Sequence, residues 1–235
     1  MLLALALPFW VNAAEEEKEP EFSEAETLLF LTDHLENISA PGELRYEFVH
    51  RGSLEENFTD RVILRIDKVL EDGFKSAEID FLEGDRHQYV PPNAHTNLNG
   101  VILVFLQGDT YEMARLTPGS SRYFHRRMKY GFAYEAEVEP VTFTFDGREV
   151  TGRKVTMKPF INDPHRPEFE EYAHKVYTFI LSKEVPGMLY QIHTIIPDMS
   201  KEEEGKAFEE PLIEERLTLV KAELGEPGKV AQMKP

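Results

Sequence analysis

The chain has 235 residues, with 43 acidic against 26 basic side chains, a formal net charge of −17 and no cysteine. This acidity argues against nucleic acid and anionic lipid surfaces as partners, because both require basic patches and a favourable long-range field. The lack of cysteine excludes disulfides, thiol chemistry, cysteine metal sites and a lipid-modified cysteine.

Residues 1–14 form an apolar run without a charge, and an acidic stretch follows at once. The apolar core from Leu2 to Val11 is too short to span a bilayer, while Ala13 and Ala14 suit signal peptidase. We therefore expect a signal peptide cleaved near Ala13/Ala14 and a periplasmic protein with no stable membrane anchor. Residues 15–22 have no apolar periodicity and are expected to be a flexible acidic lead-in.

A first helix is predicted from Ser23 to Ile38. Ser23-Glu24-Ala25-Glu26 is a capping box, in which the Ser23 hydroxyl accepts from the amide of Glu26 and the Glu26 carboxylate reaches back. Apolar side chains then recur at helical spacing, at Leu28, Leu31, Leu35 and Ile38. Ala40-Pro41-Gly42 ends the helix.

Half-buried antiparallel strands are predicted between Leu44 and Val90, because apolar and polar side chains alternate there with a period of two. Asp72-Gly73 and Gly84-Asp85 lie between the alternating segments and predict tight turns, since glycine adopts positive φ without a side-chain clash. A meander is the simplest topology for these strands.

The middle of the chain predicts a loop at Pro91–His95 and then two helices, Val101–Leu116 and Ser121–Phe132. Strands resume after Pro140, with Asp146-Gly147 as a hairpin turn. Three later strands are predicted at His174–Ser182, Met188–Ile196 and Leu212–Lys221.

Together these elements predict about nine strands and three helices, an α+β fold dominated by antiparallel sheet. We expect residues 23–222 to form a single β-rich domain and residues 223–235 to form a flexible tail. Several strands carry large apolar side chains on both faces, so the sheet requires a cover on each side. The helices supply that cover in the simplest interpretation. In the alternative, functional interpretation, the sheet is curved and its concave face holds an apolar ligand beneath the helices.

If such a cavity exists, we expect its walls to be the large apolar side chains of the strands and helices: Tyr46, Phe48, Val62, Leu64, Ile79, Phe81, Phe105, Phe124, Phe143 and Phe179. Three arginines of the helix predicted at Ser121–Phe132 could bind an anionic head group, because the planar guanidinium suits phosphate and carboxylate: Arg122, Arg126 and Arg127. They could equally form the solvated face of an amphipathic helix.

A polar cluster follows at residues 165–174. If residues 167–174 are helical, Glu170 and His174 lie one turn apart, and with His165 and Glu171 they could bind a metal ion. A charged surface loop is the more common interpretation of such a segment. The chain has no nucleophile elbow, phosphate-binding loop or His-Glu-x-x-His helix, so we expect no enzyme activity and no cofactor.

The order of elements also carries a family resemblance. An exported leader is followed by a capped helix, an aromatic strand at Arg45-Tyr46-Glu47-Phe48-Val49, a polar link from Gly52 to Asn57 and the strand Val62–Ile66. A helical segment then separates two sets of strands. This order resembles the LolA/LolB-like lipoprotein-carrier superfamily. The resemblance implies an incomplete antiparallel barrel whose concave side, covered by helices, receives acyl chains in the periplasm.

The leading expectation is therefore a periplasmic carrier or binding protein for a lipid, acyl chain or other hydrophobic ligand. An envelope assembly or protein-interaction factor with a filled core, which would have a protein partner, is the first alternative. A metal-binding accessory protein built on the 165–174 cluster is the second.

Overall fold

The computed structural model describes residues 22–200 and 211–225. The predicted signal peptide, nearly all of the acidic lead-in and most of the predicted C-terminal tail lie outside these residues. Within them the chain forms nine strands: β1 (Gly42–Arg51), β2 (Phe58–Val69), β3 (Lys75–Phe81), β4 (Asn93–Thr96), β5 (Glu137–Phe145), β6 (Arg148–Met157), β7 (Val176–Leu181), β8 (Leu189–Ile196) and β9 (Ile213–Leu224).

The helical segments of the described residues lie before the first set of strands (β1–β4), within each set, and between the two sets. They are α1 (Glu24–Glu26), which continues into a π-helical turn (Thr27–Leu31), a 3₁₀ turn (Gly84–Arg86), α2 (Val101–Leu116), α3 (Ser121–Tyr134) and α4 (Arg166–Phe169), which continues into a 3₁₀ turn (Glu170–His174). None of these described helices has the length and apolar character that crossing a membrane requires.

All nine strands belong to one antiparallel sheet in the order β4-β3-β2-β1-β9-β8-β7-β6-β5. The sheet does not close, because β4 and β5 are its two edges, so the architecture is the predicted incomplete barrel. Strands β1 to β4 form one meander and β5 to β8 another, and β9 joins them by pairing with both β1 and β8. The predicted fold class is confirmed.

The hairpin turns follow the glycine signals in the sequence. Asp146 and Gly147 have φ values of 49° and 72°, and they close the β5–β6 hairpin, in which Phe145 pairs with Arg148. Such a two-residue turn with positive φ matches the right-handed twist of the strands that it connects. Gly73, with φ of 88°, likewise turns the chain between β2 and β3.

The first helix is shorter than predicted. Its capping box at Ser23 is present as expected, but the helical segment ends at Leu31 instead of Ile38. Thr32 is extended, and the Asp33 carboxylate then accepts from the amide of Leu35 at 3.0 Å, which stabilises a turn. Leu35 and Ile38 are buried from this turn, so their helical spacing was coincidental.

Other boundaries also differ from the prediction. The expected turn at Gly84-Asp85 is a 3₁₀ turn, and the expected loop at Pro91–His95 contains the start of edge strand β4. The helix over 167–174 that a metal site would require is not formed, because α4 ends before Glu170, whose φ is +51°, and only a 3₁₀ turn follows. Strand β9 reaches Leu224, beyond the predicted end of that strand at Lys221.

Candidate functional site: an apolar groove in the helical layer

The concave face of the sheet is filled by side chains. Of the ten residues expected to surround a cavity, eight are at most 4% exposed and belong to one packed core: Tyr46, Phe48, Val62, Leu64, Phe81, Phe105, Phe124 and Phe179. Ile79 and Phe143 are half-buried against the same core. Aromatic rings from helices and strands interlock here; Phe132 of α3 and Phe179 of β7, for example, lie 5.7 Å apart.

A largely apolar depression of the described surface lies among the helices. It is a groove of about 430 Å³ between the N-terminal helical segment (α1 and the π-helical turn, residues 24–31), α2 and α3. Its apolar lining consists of Phe22, Phe30, Leu31, Leu103, Leu106, Met128 and Phe132, and its polar lining of Glu26, Gln107, Thr110, His125 and Lys129. None of the ten predicted lining residues borders it.

The π-helical turn builds one wall of the groove. Its amide-to-carbonyl bond from Thr32 to Thr27 spans five residues, one more than in an α-helix. Leu31 is left 51% exposed, facing Leu103 of α2, which is 47% exposed. Such π turns occur often at functional sites, because the extra residue redirects the side chains around it.

Two contacts hold this wall against α3. The Ser23 hydroxyl donates to the Phe132 carbonyl at 2.8 Å, and the Phe30 and Phe132 rings meet edge to face at 5.2 Å. The serine that caps the first helix therefore also fixes the width of the groove.

A buried polar clamp supports the same wall from below. The backbone N–H of Asn99 donates to His34 Nδ1 at 3.1 Å. The ring proton of His34 is therefore on Nε2, which donates to the Leu28 carbonyl at 2.8 Å. The Asn99 side chain donates to the Tyr46 hydroxyl and to the Gly187 carbonyl. Burial lowers the pKa of His34, which keeps the ring neutral and the clamp intact at neutral pH.

A second, smaller cleft of about 260 Å³ lies between α2 and the β1–β3 end of the sheet. Three predicted lining residues, Phe48, Phe81 and Phe105, border it. The polar side chains of its lining already have partners: His50 lies 3.4 Å from Glu55 and 3.5 Å from Glu215, and Glu55 and Glu112 both pair with Arg115. Because each of these groups is already engaged, this cleft offers a weaker ligand site than the groove.

A fully buried ion pair fastens α2 to the sheet beside this cleft. Lys175 donates to one carboxylate oxygen of Asp109, and the Tyr177 hydroxyl donates to the other at 2.6 Å. Burial works against the charge on Lys175, but the Asp109 and Glu215 carboxylates outweigh it and hold the pKa of Lys175 above its usual value. The polar groups of this pair satisfy one another, as a structural role requires.

The three arginines expected at an anionic head group do not act together. Arg127 is 11% exposed and is engaged by Glu135 at 2.6 Å and by Asp163 at 2.9 Å. Arg126 lies over the ring of Tyr123, and Arg122 is exposed. None of the three borders the groove.

The candidate metal ligands are also separated. His165 pairs with Glu168 at 2.8 Å, while Arg166 contacts His174 at 3.2 Å. Because the helix breaks at Glu170, Glu170 and His174 do not share a helical face. Across residues 22–200 and 211–225, no three His, Asp or Glu side chains form a group that could hold a metal ion.

Neither family models nor curated proteins match the chain. Among solved structures, it is similar to the lipoprotein LppX of Mycobacterium tuberculosis, with 9% identity, a TM-score of 0.29, and coverage of 85% of this chain and 93% of that one. It is also similar to the LolA superfamily protein NE2245 of Nitrosomonas europaea, with 8% identity, a TM-score of 0.22, and coverage of 86% and 94%. Likenesses this remote assign no function.

Proposed function

We propose that the chain is a non-enzymatic carrier or binding protein for a hydrophobic ligand, and that the groove between the N-terminal helical segment, α2 and α3 receives an acyl chain. The observation that carries this proposal is the groove itself. Its volume of about 430 Å³ lies within the range of small-molecule sites, and apolar side chains form most of its wall.

The apolar wall sets the scale of the affinity. Each buried methylene contributes about 0.8 kcal/mol, so roughly ten methylenes contribute about 8 kcal/mol before association costs are subtracted. A dissociation constant of about 1 μM corresponds to the same 8 kcal/mol, so we expect binding no tighter than that. Weak, reversible binding of this kind suits a carrier that must release its ligand.

Export belongs to the same proposal. Residues 1–14 have the pattern of a signal peptide, and a periplasmic location would place the protein where acyl chains must cross an aqueous compartment. Fractionation of cells that express the full chain, with the N-terminus of the product determined by mass spectrometry, tests this part. A product that keeps residues 1–14 and stays in the cytoplasm contradicts it.

Titration with a fluorescent acyl probe tests the groove. Leu103→Glu places a charge in the groove wall, and Leu54→Glu is the matched control, because Leu54 is similarly exposed, at 46%, and lies outside the groove. We expect the wild type and Leu54→Glu to bind the probe alike and Leu103→Glu to bind at least about tenfold more weakly, since a charged side chain strongly disfavours an apolar site.

The two possible failures have different meanings. Equal binding by both variants and the wild type would move the ligand away from the groove. No probe binding by the wild type, together with no co-purified lipid in native mass spectrometry, would refute the carrier function altogether.

The packed concave face supports a second candidate, an envelope protein-interaction factor. In that case the groove would bind an apolar helix or segment of a partner protein, as amphipathic helices do in other grooves. The same titration separates the two candidates, because an interaction factor would leave the acyl probe unbound.

A further inference from the structure

We infer that the ligand of this groove carries an anionic head group, and that Lys129 and His125 of α3 bind it. This inference rests on the proposed function and names its ligand class: a single-chain amphiphile that ends in a carboxylate or a phosphate. It also replaces the three arginines expected from the sequence with a lysine and a histidine on the same helix.

Lys129 and His125 have the right placement for this role. They lie four residues apart on α3, so they occupy neighbouring positions on one face of the helix. Both border the groove and both are exposed. Neither has a hydrogen bond or an ion pair within the described part of the chain, although many carboxylates lie on the same protein.

The local charge of α3 differs from that of the whole chain. Between Ser121 and Tyr134 there are five basic or histidine side chains and no acidic one. Arg127 already pairs with Glu135 and Asp163 and is unavailable. Since charges separated by more than about 8 Å are largely screened at physiological salt, the net charge of −17 does not cancel this local positive surface.

The opposite wall gives the ligand an orientation. Glu26 borders the groove there, and its carboxylate is held by the Ser23 amide at 3.0 Å. A second anion beside Glu26 would be repelled, so the head group lies at the α3 wall. The other polar groups, Gln107 and Thr110, bond to each other at 3.0 Å and add no charge.

The chemistry of the two side chains suits an oxyanion. Lysine presents three donors and a full positive charge, and histidine presents at least one ring N–H at any pH. Either can donate to a carboxylate or a phosphate, and both can bind the same head group from adjacent turns. A neutral head group would leave Lys129 without an ionic partner, and a cationic head group would be repelled by Lys129.

The test compares ligands that have one chain length and different heads. Dodecanoate, dodecyl phosphate, dodecanol and dodecylamine, each below its micelle concentration, compete with a fluorescent acyl probe at neutral pH. For the wild type, we expect the anions to bind up to about fivefold more tightly than the alcohol, the range for an exposed ion pair, and high salt to remove that preference. The dodecanoate and dodecyl phosphate arms show which head is preferred.

Three variants and one control complete the test. Lys129→Gln and His125→Gln should each reduce the preference for the anions, while Glu26→Gln should increase it, because glutamine preserves the capping box and removes the repulsion. Arg122→Gln is the control, since Arg122 is an exposed cation of α3 outside the groove.

The inference is overturned if wild-type protein binds dodecanol and dodecanoate equally, or if Lys129→Gln behaves as Arg122→Gln does. In either case the proposed function stands, because the chain still binds. Failure of all four ligands to displace the probe, or failure of the probe to bind, counts instead against the carrier function and the inference with it.

Discussion

Replacing Lys175 with methionine should destabilise the protein strongly. Lys175 and Asp109 have side chains that are each 1% exposed, and the Asp109 carboxylate has only one other hydrogen-bond donor among the described residues, the Tyr177 hydroxyl. Methionine keeps a similar shape but removes the positive charge. The variant therefore leaves a carboxylate buried beneath α2 without its counter-ion.

The cost follows from the burial of this pair. Removing one partner of a buried ion pair costs about 3–5 kcal/mol, against about 0–1 kcal/mol for an exposed pair. Domains have only about 5–15 kcal/mol of stability in total, so the loss is a large part of it. Burial already raises the pKa of Asp109, and without Lys175 it rises further. The folded variant would then bind a proton more readily than the unfolded chain, so its deficit should grow as pH rises through that raised pKa.

Urea denaturation followed by circular dichroism measures the effect. The double variant Lys175→Met/Asp109→Asn should recover much of the lost stability, because it removes the unpaired charge. Lys183→Met is the control, since Lys183 is exposed, and it should change stability by no more than about 0.5 kcal/mol. Two results would refute the argument. One is a loss below about 1 kcal/mol for Lys175→Met, and the other is a double variant whose loss in the free energy of unfolding equals or exceeds the sum of the losses of Lys175→Met and Asp109→Asn.

Two further predictions concern His34 and Gly187, the two residues that Asn99 links in the buried clamp. Burial lowers the pKa of His34 from its ordinary 6.5, so at this residue the unfolded chain binds a proton more readily than the folded one. The free energy of unfolding should therefore fall as pH drops below about 6.5. In thermal melts at a series of pH values, His34→Gln should flatten that part of the profile, and an unchanged profile contradicts the role of the clamp. Gly187→Ala should cost more stability than Gly147→Ala, although both glycines have φ near 70°, because an added Cβ at 187 would lie 2.5 Å from Leu44 Cδ1 and one at 147 would meet nothing within 4 Å. From backbone strain we expect Gly147→Ala to lower the free energy of unfolding by about 1–2 kcal/mol. Gly187→Ala should lower it by a further ~1–3 kcal/mol, because the added methyl group overpacks the core. Equal losses for the two variants in urea denaturation would refute the packing argument.

The sheet was predictable because its signals are local. Alternation with a period of two marks β1, β2, β3 and β5, and the Asp146-Gly147 pair predicts the turn that follows β5. The edge strand β4 lacks this signal and begins within an expected loop. The capping box at Ser23 was equally readable. The end of that helix was not, because Leu35 and Ile38 have helical spacing although they are buried from a turn.

The site was less predictable than the fold for a physical reason. Periodicity identifies which face of a strand is buried, but it cannot show whether opposing side chains fill the space between layers. Phe124 and Phe179, expected on the wall of a cavity, are fully buried in the packed core. The groove instead lies where residues 22–31, 103–110 and 125–132 meet. The clearest feature of this groove is the exposure of Leu31 opposite Leu103, and it depends on a π turn that no sequence pattern predicted.

The strand order has a consequence for the timing of folding. Strand β9 lies near the end of the chain, yet it is the strand that joins the two meanders by pairing with β1 and β8. During synthesis, the first meander can form while the β1 edge that β9 will cover stays open until residues 213–224 emerge. Such long-range pairing folds slowly, and an open edge recruits other strands. The two meanders therefore become one sheet only after β9, the last of the described strands in chain order, has been made.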